Sequence, residues 1–339
     1  MSGGTHNTML REQDQPNVGR NGKIETFSAA DLMTLDLPPV APVVQDLLYE
    51  GVTLLAGKAK MGKSWMMLDL ALAVATGGVA LGRIPVQQGD VLYLALEENR
   101  RRLQGRMRKL LAGREVPSGL HLALSCPRLD EGGLKALDTL LGEHPGIRLV
   151  ICDTLARLKP GGSKKRSQYD EDREAVDPFS PLAEQHSVAI VLVHHLREME
   201  SDDPLDMIHG SAGLTGGVDS ALVLKRRRGE PDAFLYGDGR DYEHPVDLAL
   251  KWDQPSATWA VLGDAEEYTM SEQRRAILGV VKSADKALGP KEVTERLNAR
   301  GVQMKYGAVR EMCSQMANDG QLKNLGRGQY VIPDSTEDA

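Results

Sequence analysis

The run Gly57-Lys58-Ala59-Lys60-Met61-Gly62-Lys63-Ser64, with Trp65 after it, holds the residue types best spaced for chemistry in this chain. Its two glycines let the backbone curl with several N–H groups pointing inward, so that these donors and the positive end of a following helix face one polyphosphate. In such a turn Lys63 reaches the β- and γ-phosphates, and the Ser64 hydroxyl is an oxygen ligand for the magnesium that bridges them. The flanks fit this reading. Val52 to Ala56 is an apolar strand, and Trp65, Leu68, Leu72 and Ala75 keep helical spacing. ATP and Mg2+ are the expected ligands.

A hydrolytic site also needs a carboxylate that orients water. Val91 to Leu96 is an apolar run of buried-strand length that ends in Glu97-Glu98-Asn99. In a parallel sheet that end shares an edge with the P-loop, so Glu97 can activate the attacking water. The alternative is a solvated turn before the basic helix Arg100 to Leu111. Leu149 to Cys152 closes on Asp153, the order expected when a buried strand delivers one carboxylate to a metal beside Ser64. Val188 to Val193 ends in His194-His195, which reads as a γ-phosphate sensor more readily than as half of a metal site, because no further Cys or His stands at ligand spacing.

These strands must belong to an α/β domain with a mostly parallel sheet. The chain has 339 residues, 41% of them hydrophobic, with 35 Gly and 3 Phe, which suits tight strand-to-helix turns better than an aromatic-rich sandwich. Cys126, Cys152 and Cys313 lie far apart and read as reduced thiols of a cytoplasmic protein. No apolar run reaches membrane-spanning length, and a net charge of -7 leaves nucleic-acid contact to local basic surface.

Residues 1–26 read as a disordered tail, with a capping box at Ser28 and Asp31 just after it. The basic loop Lys159 to Arg166 and the glycine-rich segment Leu196 to Gly217 leave the same sheet edge as the P-loop; the basic loop is either a phosphate-backbone contact or a solvated turn. Ser220 to Lys225, Phe234 to Tyr236, Val246 to Trp252 and Trp259 to Leu262 follow as antiparallel additions, completing an ATPase domain over 27–263. After an expected linker at 264–270, residues 271–333 read as helix, helix, helix and hairpin, a small winged helix-turn-helix domain, and 334–339 as a disordered end. Between Ser271 and Ile332 there are 11 Lys or Arg against 6 Asp or Glu, so duplex DNA is the expected partner of this module and another protein the alternative.

Taken together, the Gly57 to Ser64 turn, Glu97, Asp153 and the His194-His195 strand end resemble the RecA-fold ATPases of the RepA type, ring-shaped replicative helicases of plasmids, phages and mobile elements related to DnaB. The likeness runs from about Phe27 to Leu262. It implies a hexameric ring that hydrolyses ATP at subunit interfaces and tracks single-stranded DNA through the loops after Asp153 and His195. It implies Lys63, Glu97 and His195 as catalytic groups, and Arg240 as an arginine finger lent to the neighbouring subunit. The chain departs from the DnaB pattern at Asp238, where a basic residue is usual, and Arg226 to Arg228 remain competitors for the finger. A recombinase filament and a nucleotide-switched DNA-binding regulator are the alternatives in function.

Overall fold

The computed structural model describes residues 26–37, 40–161, 167–196, 212–226 and 232–333. The two terminal tails up to residue 25 and from 334, the basic residues Lys164, Lys165 and Arg166, most of the loop after His195, and Arg227 and Arg228 lie outside them.

In chain order the first unit comprises α1 (Ala29–Leu32), β1 (Pro42–Val44), β2 (Leu48–Tyr49), β3 (Gly51–Gly57), α2 (Lys63–Thr76), β4 (Gly78–Ala80), β5 (Ile84–Val86), β6 (Asp90–Ala95) and α3 (Arg100–Leu111). It continues through β7 (Leu120–Ala123), α4 (Gly133–Glu143), β8 (Ile147–Asp153), α5 (Gln168–Val176), α6 (Phe179–His186), β9 (Ala189–His195) and α7 (Ala212–Thr215). The strands β10 (Ser220–Arg226), β11 (Asp232–Gly239), β12 (Val246–Asp253) and β13 (Thr258–Asp264) close it. The chain divides into compact units between Leu262 and Gly263.

Among the described residues, nine strands form one sheet in the order β13-β12-β11-β10-β3-β9-β8-β6-β7. From β10 to β7 neighbouring strands run parallel, while β11 turns back against β10 and β12 against β11. The parallel strands are apolar on both faces because helices cover both. On β3, Val52, Leu54 and Ala56 join one core cluster with α4 and α6, and Leu55 joins the other with α2 and α3.

Local sequence explains the helix ends. Ser28 and Asp31 form the expected capping box on α1. Asn99 caps α3 by accepting from the Arg102 N–H at 2.9 Å. Two helices, α5 and α6, fill the stretch before β9, broken at Asp177-Pro178, since proline cannot donate the next helical hydrogen bond. A second sheet, β2-β1-β5-β4, was not legible in the sequence; its strands are only two or three residues long.

The C-terminal unit contains α8 (Ala265–Lys282), α9 (Pro290–Ala299), α10 (Tyr306–Asn318) and the strands β14 (Lys323–Asn324) and β15 (Tyr330–Val331). Ile277, Val280, Leu297, Val309 and Met316 meet in its core. The linker expected at 264–270 is instead helical: Asp264 caps α8 through the Glu267 N–H, and Glu266 and Glu267 favour the positive end of the first turn. Leu288 pairs with Tyr330, tying the start of α9 to the hairpin.

Candidate active site

Register places the chemistry at one edge. Gly57 at the end of β3 stands beside His195 of β9, while Asp153 of β8 pairs with Val193 on one side and with Ala95 of β6 on the other. The ends of four adjacent strands therefore deliver the P-loop, His195, Asp153 and Glu97 to one place, as the chain pattern predicted.

The turn itself depends on its glycines. Gly62 has φ +98°, and a Cβ there would lie 3.1 Å from the Trp259 ring. At Gly57 a Cβ would come within 2.6 Å of the Leu224 carbonyl of β10. Lys63 is 3% exposed, and its ammonium donates to the carbonyls of Gly57 at 2.5 Å and Lys58 at 2.8 Å. Burial pulls its pKa down to about 8, against the opposing pull of Asp153 and Glu97. Ala59 and Lys60 are exposed at the tip of the turn, and Met61 packs on the core beneath it.

Asp153 is 4% exposed, and the Tyr93 phenol donates to its Oδ2 at 2.7 Å. The same hydroxyl lies 3.4 Å from the Ser64 carbonyl oxygen. Burial, with Asp153 adding to it, holds the Tyr93 pKa well above its ordinary value, so the phenol stays a donor. Glu97 accepts from the Thr154 hydroxyl at 3.1 Å and lies 3.8 Å from His195 Nε2 and 3.9 Å from Arg157 Nε. Burial and then Lys63 push the His195 pKa down, against Glu97 and Asp153. A neutral imidazole beside a carboxylate can sense or hold a proton near the γ-phosphate position. Glu98, by contrast, is occupied by Arg106 at 2.9 Å and Arg102 at 3.5 Å.

Among the described residues no three His, Cys, Asp or Glu side chains cluster as a metal site. Magnesium keeps its waters and takes one or two protein oxygens together with phosphate. Ser64 and the buried Asp153 carboxylate fit the ion.

Arg240 is not brought to this site. It lies next to Gly239, which pairs with Ser220 at the opposite end of β10 from Arg226. About seven residues of strand, roughly 20 Å, separate it from its own P-loop edge. Its guanidinium is exposed and touches Asp219 at 3.1 Å. Arg226 is at the P-loop edge, its guanidinium 5.1 Å from the Trp259 ring and 5.9 Å from that of Trp252. Trp252 packs in turn on Trp65, whose ring also carries Arg106 at 4.9 Å.

Sequence reasoning missed Tyr93, Thr154 and Trp259. Thr154 follows Asp153 directly and Tyr93 is the one hydroxyl in an apolar strand, both visible signals. Trp259 comes from the far edge strand and had none.

Residues 20–200, more than half of the 339, match the family model AAA_25, an AAA domain. The chain belongs to the AAA_25 family. Comparison with curated proteins gave no match for this AAA_25 chain. Its fold is shared with a solved ATPase domain, at 12% identity and a TM-score of 0.51 over 69% of this chain and 95% of that one. It is shared also with a DnaB-like replicative helicase studied for its interactions with primase, at 12% identity and a TM-score of 0.52 over 70% of this chain and 67% of that one. The AAA_25 chain thus carries a RecA-like P-loop ATPase fold, as its strand and motif order had indicated. No helix among the described residues is long and apolar enough to cross a membrane.

Proposed function

We propose that this protein is an ATP-driven DNA helicase or translocase of the RepA type, acting in the cytoplasm in replication of a phage, plasmid or mobile element. The observation that carries the reading is the convergence of Lys63, Asp153, Glu97 and His195 at the ends of four neighbouring strands. In it, Gly57 to Ser64 cradle the phosphates and Lys63 neutralises the charge that develops on them. Ser64 and Asp153 would hold magnesium, which when bound would polarise the phosphoryl group. Glu97, steadied by Thr154, takes the proton of the attacking water, and His195 reads whether the γ-phosphate is present.

Arg240 supports a hexameric ring in this reading. Placed far from its own phosphates and exposed, it serves a neighbour in a head-to-tail assembly, which closes into a ring or opens into a filament according to the rotation between subunits. Single-stranded DNA runs through the loops that follow Asp153 and His195. The C-terminal unit acts as a winged helix-turn-helix module for duplex DNA. A groove in that unit, where Lys291 of α9, Arg310 of α10 and Arg327 of the hairpin outnumber Glu292 and Glu311, supports that role.

Forked-duplex unwinding by wild type and Lys63→Ala tests the proposal. ATP-dependent strand separation that disappears in the variant is expected. No unwinding, together with ATP-dependent strand pairing, would replace the helicase with a recombinase.

A further inference from the structure

We propose that Tyr93 is a positioning residue for the metal site: its phenol holds Asp153 by one oxygen and leaves the other for the magnesium that Ser64 and Asp153 would hold. The inference rests on the reading of the site as an ATP–magnesium centre and adds a residue to it.

Tyr93 lies two residues before Ala95, the register partner of Asp153. Residues two apart on a strand share a face, so Tyr93 and Ala95 point the same way, toward α2, and both belong to the core cluster on that side. The small Ala95 side chain leaves the path along which the long tyrosine reaches forward. Its hydroxyl ends 2.7 Å from Asp153 Oδ2 and 3.4 Å from the Ser64 carbonyl oxygen, between the two residues assigned to the metal. Tyr93 is 1% exposed and Asp153 is 4% exposed, so water cannot readily replace this hydrogen bond. Without it, a buried carboxylate beside Lys63 is free to rotate toward the ammonium. Hydrogen bonds to a ligating carboxylate set its orientation, and their loss weakens metal binding by about 10- to 100-fold.

The full-length Tyr93→Phe variant tests the role, because phenylalanine keeps the ring and its packing. Nucleotide affinity is measured by equilibrium binding in EDTA and across a magnesium titration, and Mn2+ binding to the nucleotide complex by electron paramagnetic resonance. The proposal predicts unchanged binding in EDTA, a magnesium midpoint raised about tenfold or more, weaker Mn2+ binding, and turnover restored at high magnesium. An unchanged midpoint overturns it, and so does an equal loss of nucleotide binding with and without magnesium, the mark of a merely damaged cradle. If the Phe variant unfolds, Ala95→Val, which narrows the path of the phenol, must raise the midpoint in the same way or the proposal fails. A wild type whose nucleotide binding ignores magnesium sinks the underlying site reading instead, and this inference with it.

Discussion

The Thr154 hydroxyl donates to Glu97 Oε1 at 3.1 Å, so the strand that supplies Asp153 also steadies the carboxylate at the end of its neighbour. Glu97 is held from outside its own strand. Thr154→Val keeps the shape and removes that bond, and kcat should fall about tenfold or more with KM for ATP little changed, since a positioned base acts on the reaction rather than on binding. Steady-state kinetics with single-stranded DNA present check this, and an unchanged kcat would reject the role of Thr154.

All three tryptophans of the chain sit in one cluster against the phosphate turn. Trp65 and Trp252 lie 6.3 Å apart, Trp252 and Trp259 lie 5.1 Å apart, and the Trp259 indole is 3.4 Å from the Gly62 carbonyl oxygen. Intrinsic fluorescence should therefore change as ATP binds, saturably in wild type and not in Lys63→Ala. Trp259→Phe should remove much of the signal. A flat titration at nucleotide concentrations that saturate binding by calorimetry would contradict this.

Much of this site was readable in advance because a phosphate cradle needs particular residues at fixed spacing, and a parallel strand must be apolar before it ends in an acid. Glu97, Asp153 and His195 stand out that way, and the register brings their strand ends together. What escaped notice depends on tertiary approach. Trp259 reaches Gly62 from an edge strand four places away from β3 in the sheet, and nothing in the order of residues near position 259 points to position 62. The 264–270 stretch reads as a linker because Gly263 and the acids after it look like a solvated turn, although Asp264 with Glu266 and Glu267 in the next turn is also a helix start. The small sheet escaped for a simpler reason: two- and three-residue strands carry no periodicity.

His194 gives a pH dependence. Burial, then Lys159, pushes its pKa from 6.5 to about 4, with His195 and Lys63 acting in the same direction and Asp172 opposing. Its Nδ1 is buried with no hydrogen-bond partner among the described residues. Between those pH values the unfolded chain binds more protons than the folded one, so stability is lost as pH falls from about 6.5 to about 4, by up to about 3 kcal/mol from this group. Denaturant unfolding of wild type and His194→Phe across that range should show the shallower slope in the variant; parallel slopes would contradict it.

Gly105 sits inside α3, exposed, and a Cβ there would meet nothing within 4 Å. Alanine should therefore stabilise the helix by about 1 kcal/mol. Thermal or denaturant unfolding of Gly105→Ala checks it, and a destabilised variant would show that the position is more crowded than the structure indicates.

The central claim is that ATP held at Gly57 to Ser64 is hydrolysed with Glu97 as base, and that DNA drives the turnover. The most direct measurement is ATP hydrolysis with magnesium, with and without single-stranded DNA, for wild type and Glu97→Gln, alongside nucleotide binding by both. The account predicts turnover raised by DNA in wild type, turnover reduced about 100-fold or more in the variant, and ATP binding retained in both. A wild type that neither binds nor cleaves ATP, or a Glu97→Gln protein that turns over as fast as wild type, would contradict it.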